Sequence, residues 1–119
     1  MLVFDTYAII EIIKGNKNYD NYLDIEVVIN TFILAELTYY LIKTLGLDKT
    51  SYYIDKYKKF VRSTDSEIIK QAMLFRYKHK KKKLSMTDCI SYFMAKELGI
   101  KFLTGDKEFK NLENVEFVK

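Results

Sequence analysis

The run Leu2-Val3-Phe4-Asp5-Thr6, followed by Ala8, Ile9, Ile12 and Ile13 and closed by Gly15, sets the pattern for the whole chain. Three apolar residues end on a carboxylate and a hydroxyl, and the apolar positions that follow recur at helical spacing. The stretch therefore predicts a short buried strand that feeds directly into a helix. The same alternation repeats downstream. Glu26 to Ile29 is largely apolar and β-branched, Asn30-Thr31 offer capping side chains, and Phe32 to Leu45 reads as a helix stopped by Gly46. Asp48 to Val61 carries Tyr53, Tyr57, Phe60 and Val61 at helical spacing, and Asp65 to Lys78 does the same with Ile68, Ile69, Ala72 and Phe75. Ser85 opens a further helix with Met86, Cys89, Ile90, Phe93, Met94 and Leu98 on one face, closed by Gly99. Strands over Ile100 to Leu103 and Val115 to Val118 complete the reading. Apolar strands that alternate with helices indicate a parallel sheet covered on both faces. The expectation is an α/β fold, a three-layer α/β/α arrangement around a short, mostly parallel central sheet.

Composition bounds what such a fold could do. With 119 residues, 49% apolar and 30% charged, the chain can bury one core but not two, so residues 1–119 are expected to form a single domain. It has no Pro, only 4 Gly and no repeat of fixed period, which argues against disorder or an array. Met1 to Asp5 lacks the basic start of a secretory signal. The longest apolar run, Phe32 to Ile42, is interrupted by Glu36 and falls short of the roughly 20 residues that a membrane-spanning helix needs. The lone cysteine, Cys89, can make no internal disulfide and is expected to be a small buried side chain in a reducing cytoplasm.

In open parallel sheets, ligands bind beyond the carboxyl ends of the strands, where strand order reverses. Asp5 follows the first strand directly, and Asp106 lies just past the strand that ends at Leu103. Asp88 falls in the first turn of the helix opened by Ser85, and Glu36 in the second turn of the helix after Glu26 to Ile29. All four can converge on one cleft. Each also has a plainer explanation. Asp5 can cap the helix beginning near Thr6, Ser85-Met86-Thr87-Asp88 is a capping box in its own right, and Asp106 sits in a glycine-containing turn. Glu36 is the only charge between Thr31 and Ile42, in a helix that is apolar nearly all round, so it is expected to be largely buried unless it escapes along one polar stripe. An unpaired buried carboxylate costs several kcal/mol.

Clustered carboxylates repel one another, and Mg²⁺ or Mn²⁺ relieves that repulsion because hard dications prefer oxygen ligands. The one histidine, His79, lies in a lysine run, so neither a zinc site nor a Ser/His/Asp triad can be assembled. An all-carboxylate site suits phosphoryl transfer, in which bound ions activate water and hold the phosphate for in-line attack. The charge balance agrees. Setting four of the 16 acidic residues aside leaves 12 against 20 basic ones, a surface that favours a polyanion.

The residues Val3-Phe4-Asp5-Thr6, Ala35-Glu36-Leu37, Leu84-Ser85-Met86-Thr87-Asp88-Cys89 and Leu103-Thr104-Gly105-Asp106-Lys107-Glu108-Phe109 resemble, in order, the motifs of the PIN-domain family, and in particular the VapC-type toxins of toxin–antitoxin pairs. The resemblance spans residues 3 to 109. It implies a metal-dependent endoribonuclease with Asp5, Glu36, Asp88 and Asp106 around Mg²⁺ or Mn²⁺, Thr104 and Thr6 close by, and Glu108 as an auxiliary acid or an exposed turn residue. It further implies hydrolysis that leaves a 5′-phosphate, and an antitoxin protein as partner. The chain is somewhat short for such a toxin, and Lys14 to Asp24 is compact, so a housekeeping RNA-processing nuclease and a catalytically inactive RNA-binding or interaction module stand as alternatives. A haloacid-dehalogenase-like phosphatase would want an aspartate at position 7, which is Tyr. A receiver domain would want adjacent acids and a late lysine where Thr6 and Thr104 stand, and no Gly-rich phosphate loop is present.

Two surface expectations follow. Arg76, Lys78, Lys80, Lys81, Lys82 and Lys83 lead into the helix of Asp88 and are expected to flank the cleft, either gripping the RNA backbone or simply suiting a helix C-terminus. The tyrosines Tyr39-Tyr40 and Tyr52, Tyr53 and Tyr57 are expected in core or interface. Two apolar helices exceed what one small sheet can cover, which predicts a homodimer through residues 32 to 61.

Overall fold

The computed structural model describes residues 1–119. Four strands, β1 (Leu2–Phe4), β2 (Val27–Val28), β3 (Lys101–Thr104) and β4 (Val115–Phe117), form one sheet in the order β2-β1-β3-β4. Every pairing is parallel, with Val3 opposite both Val28 and Phe102. Five helices connect and cover the strands: α1 (Thr6–Ile13), α2 (Thr31–Leu45), α3 (Leu47–Tyr57), α4 (Ser66–Lys78) and α5 (Met86–Leu98). The α/β class and parallel sheet expected from the alternating pattern are present.

Four of the five helices start where the sequence supplies a side-chain acceptor, and α3 follows Gly46 without one. Asp5, Asn30, Asp65 and Ser85 each accept a hydrogen bond from a backbone N–H three residues on, at 2.7 to 3.0 Å. Gly99 ends α5 in the left-handed conformation. Asn30 is fully buried and satisfied twice over, since its side-chain N–H also donates to Ser91 Oγ on α5 at 3.1 Å. That bond ties the start of α2 to the helix that carries Asp88.

β1 and β3 are buried along their apolar residues, with Val3, Phe4, Phe102 and Leu103 wholly inaccessible. Helix α5 packs on β1 and β3 and against α4, while α1 packs on β3 and α2, and α2 on α3. Cys89 is buried inside this core, as expected of a small apolar side chain. No helix is long and apolar enough to cross a membrane.

The segment expected as one helix from Asp48 to Val61 differs in the structure. Helix α3 ends at Tyr57 and a 3₁₀ turn covers Lys58–Phe60. Val61 is instead extended and bridges to Ile29 in parallel, with Ile29 N–H donating to Phe60 O and Arg62 N–H to Ile29 O. Pairing with the chain beyond β2 outweighs helical periodicity at a β-branched residue.

Strand order decides where a site can form. The chain runs from β1 outward to β2, then returns to the other side of β1 for β3 and β4. The reversal lies between β1 and β3, so the loops leaving Phe4 and Thr104 diverge there and open a crevice at the carboxyl edge of the sheet.

Candidate active site

Asp5 and Thr104 occupy the two lips of that crevice. The amide of Asp5 donates to Leu103 O at 3.0 Å, which extends the β1–β3 ladder by one residue and sets the Asp5 side chain against β3. Its Oδ1 accepts from the Ala8 amide at 2.7 Å, and its Oδ2 accepts from Thr104 Oγ1. Thr104 Oγ1 in turn accepts from the Asp106 amide at 3.0 Å, so one buried hydroxyl positions both aspartates. Asp106 caps the 3₁₀ turn Lys107–Phe109 through a bond from the Glu108 amide to Oδ1 at 2.9 Å.

The other two acids arrive on helices. Ser85 caps α5 by accepting from the Asp88 amide at 3.0 Å, which places Asp88 in the first turn, half-buried and facing the crevice. Glu36 reaches the crevice from α2, where its Oε1 accepts from Thr6 Oγ1 at 2.7 Å. Asp5, Glu36, Asp88 and Asp106 together line one solvent-open cleft of roughly 650 Å³, with Thr6, Tyr7, Ser85, Gly105, Lys107 and Lys119.

The electrostatics record this convergence. Burial pushes the Asp88 carboxyl up to about 8, and the charges of Asp5, Asp106 and Glu36 push in the same direction. Burial likewise raises Asp5 to about 6, against the opposing effect of its bonds from Thr104, Ala8 and Gly105. Two carboxyls held far above the ordinary range in one cleft mark a place where negative charge is concentrated beyond what local donors neutralise. Every carboxylate also has a partner of its own, and no three acidic, histidine or cysteine side chains are gathered closely enough to hold one ion between them. The donor set still fits a hard dication in chemistry, because every candidate ligand is a carboxylate or hydroxyl oxygen and no soft donor lines the cleft.

Several expectations are corrected. Glu36 is exposed, not buried, because α2 buries only Ile33, Leu37 and Leu41 and turns Ala35 and Glu36 to solvent. The buried carboxylates are Asp5 and, in part, Asp88. The cations Arg76, Lys80, Lys82 and Lys83 do not line the acidic cleft. With Met73, Tyr77 and Leu84 they form a separate hollow of roughly 600 Å³, whose Lys83 and Leu84 directly precede the cleft residue Ser85 in the chain. Arg76 is partly committed there, its Nε donating to Leu84 O at 3.1 Å. Lys78 and Lys81 are exposed and line neither. Glu108 stands outside the cleft and contributes its amide to Asp106. Of the tyrosines, Tyr57 is core, Tyr40 and Tyr53 are half-buried, and Tyr39 and Tyr52 are exposed.

Sequence reasoning missed Tyr7, Gly105 and Lys119. The Tyr7 ring packs against Gly105, where a β-carbon would come within 2.3 Å of ring carbons, so only glycine fits between Thr104 and Asp106. The Lys119 ammonium sits 4.7 Å from the centre of the same ring and donates to Gly105 O at 3.1 Å.

Comparison with known proteins agrees with this architecture. A family model described as "PIN domain" matches residues 2–115. Solved structures of similar fold include a chain of a toxin–antitoxin complex from Klebsiella pneumoniae, 18% identical, with a TM-score of 0.77 over 98% of this chain and 96% of that one. Another is the VapC20 toxin of Mycobacterium tuberculosis, described as cleaving the sarcin-ricin loop, 16% identical with a TM-score of 0.76 over the whole of both chains. A third is VapBC2 from Rickettsia felis bound to a promoter DNA fragment, 19% identical with a TM-score of 0.75 over 98% and 97%. At such identities the likeness establishes the fold. No curated protein matches the sequence.

Proposed function

The chain belongs to the PIN-domain family, and from that membership we propose that it is an endoribonuclease dependent on Mg²⁺ or Mn²⁺ and the toxin of a toxin–antitoxin pair. The observation that carries the reading is the lining of one open cleft by Asp5, Glu36, Asp88 and Asp106 at the point where the strand order reverses. The toxin assignment is supported by neighbours of the same fold, one described as a toxin–antitoxin complex and another as a toxin. An antitoxin is then the expected protein partner. The proposal covers residues 1–119 as one nuclease unit acting in the cytoplasm. It also includes a homodimer formed through α2 and α3, whose Tyr39, Ile42, Leu45, Leu47 and Tyr52 are exposed.

In this reading Asp5, Asp88, Asp106 and Glu36 would hold the dication. When bound, it supplies charge neutralisation and an activated water for in-line attack on phosphorus. The chain's own residues do the positioning. Thr104 fixes Asp5 and Asp106 relative to each other through one hydroxyl. Ser85 fixes the start of the helix that presents Asp88. Thr6 holds Glu36, the one exposed acid and the one on a separate helix, toward the cleft. Asp5 and Asp88, raised as they are, give up their protons in step with cation binding, so occupancy should increase as pH rises through about 6 to 8.

The test is cleavage of a single-stranded RNA in Mn²⁺ or Mg²⁺ against chelator, alongside Asp88→Asn and Asp106→Asn. The expected result is metal-dependent cleavage with products bearing 5′-phosphates, reduced at least about a hundredfold in either variant. Cleavage that persists in chelator, or survives in either variant, would overturn the assignment.

A further inference from the structure

Besides the four acids, the cleft is lined by two cations, Lys107 and Lys119. Neither is ion-paired, since the chain's salt bridges are Lys14–Glu11, Lys58–Asp55, Arg62–Glu26 and Lys96–Glu113. A lysine serving only as counter-ion to the acidic cluster would lie against one of its carboxylates. Lys119 does not; it is held from other directions.

The backbone of Val118 and Lys119 is fastened by two neighbouring elements, β3 and the 3₁₀ turn Lys17–Tyr22 with its capping Asn16. The Val118 amide donates to Thr104 O at 3.0 Å, which continues the β3–β4 ladder past Phe117. Tyr19 Oη donates to Val118 O. The side-chain amides of Asn16 and Asn18 each donate to Lys119 O at 3.4 Å. Its ammonium lies over the Tyr7 ring and gives one of three N–H groups to Gly105 O. Its other two N–H groups have no partner, and Lys119 lines the same cleft as Asp5 and Asp106. A cation whose stem is already ordered loses little further conformational freedom when it meets an anion. Lys107, on a short 3₁₀ turn, makes no comparable contacts.

We propose that Lys119, seated on Tyr7 and Gly105, contacts a non-bridging phosphate oxygen of the RNA strand at the scissile linkage and so sets the register of the substrate over the carboxylates. The inference rests on the nuclease reading above and deepens it. The acids alone would repel a phosphodiester, and Lys119 supplies a fixed positive group on the same wall. The Tyr7 ring keeps the ammonium at the cleft mouth, and Gly105 admits the ring.

Steady-state cleavage of a short single-stranded RNA in Mn²⁺ tests this with Lys119→Met, Lys119→Arg and, as a charge-matched control away from the cleft, Lys110→Met, whose ammonium lies over Phe117. Lys119→Met should raise KM roughly tenfold with kcat changed much less, and reduce the slope of log kcat/KM against log salt by about 0.7, the loss of one single-strand phosphate contact. Lys119→Arg should restore most of the loss, and Lys110→Met should match the parent chain. An unchanged KM and salt slope in Lys119→Met, in a parent chain that cleaves RNA, would overturn the phosphate contact and leave the nuclease intact. A fall confined to kcat together with a lowered melting temperature, not rescued by arginine, would assign Lys119 a structural role and overturn it equally. A parent chain that cuts no RNA in metal would bring down both readings.

Discussion

Asp88→Asn should make the protein more stable while it abolishes cleavage, and the gain should grow with pH. An aspartate ordinarily titrates near 3.8, whereas burial and the charges of Asp5, Asp106 and Glu36 push Asp88 up to about 8. Because the folded-state value is raised, the native chain binds the proton more tightly than the unfolded chain does. The stability contributed by this group is therefore fully present below about 3.8 and is lost progressively as pH climbs toward 8. At pH 7 the window already crossed is a little over three pH units, each equivalent to about 1.36 kcal/mol, or roughly 4 kcal/mol in all. Asp5, itself raised to about 6, shares the repulsion, so about half is assigned to Asp88 alone, ~2 kcal/mol.

Asparagine keeps the shape and the Ser85-capped backbone amide but carries no charge. For a chain of this size, ~2 kcal/mol corresponds to a rise of roughly 8 °C in melting temperature. Thermal unfolding followed by circular dichroism between pH 5 and 8.5, without divalent metal, reads the effect. The two proteins should converge toward pH 5 and diverge toward pH 8, with the parent chain the less stable. Added Mn²⁺ should then lift the parent chain by about 2.7 kcal/mol at a concentration 100 times its Kd and lift Asp88→Asn much less. If Asp88→Asn melts at or below the parent temperature at pH 8, or the parent stability rises with pH across this range, the charge concentration inferred for the cleft is absent.

Gly105→Ala would push a methyl group into the Tyr7 ring at 2.3 Å, so it should cost about 1–3 kcal/mol in denaturant unfolding; a loss under about 0.5 kcal/mol would show that the ring moves freely. Converting Lys80, Lys82 and Lys83 to Gln should weaken binding of long single-stranded RNA and flatten its salt dependence; because these lysines line a separate hollow and not the acidic cleft, cleavage of a very short substrate should be spared. Unchanged affinity for long RNA at low salt would remove these cations from the substrate path. Leu47→Glu combined with Tyr52→Glu, at positions each 67% exposed on α3, should convert a dimer to monomer by sedimentation; a parent chain already monomeric at micromolar concentration would refute the α2–α3 interface.

Asp5 and Asp106 were legible in the sequence because their positions follow from covalent geometry. Each stands one or two residues past the end of a short strand, and a parallel sheet brings the carboxyl ends of its strands to one edge. Asp88 was legible for a different reason, since a serine cap fixes the phase of the helix behind it. Glu36 was found by an argument that the structure does not support. Helical periodicity identifies an apolar helix but not how much of its circumference finds a partner. In α2 the packing against α1 and α3 covers only the Ile33–Leu37–Leu41 stripe, which leaves Tyr39, Ile42 and Leu45 exposed with the glutamate. The lysine run leads to the cleft residue Ser85 without lining the cleft, because nearness in sequence does not say which side of the α4–α5 connection the side chains take.

Lys119 could have been reached by the logic that found Asp106. Val115 to Val118 was read as a strand, and a strand parallel to β3 must deliver its next residue to the edge where Thr104 delivers Asp106. What sequence could not supply is the company Lys119 keeps there. That depends on a tyrosine packed against a glycine 98 positions away in the chain, an arrangement set by packing between α1 and β3 rather than by any local pattern. The acids of such a cleft announce themselves because burying charge is costly and few other reasons for it exist. The cation proposed to meet the substrate is exposed, inexpensive to place anywhere on a basic surface, and becomes informative only when the structure shows that it is fastened yet left unpaired.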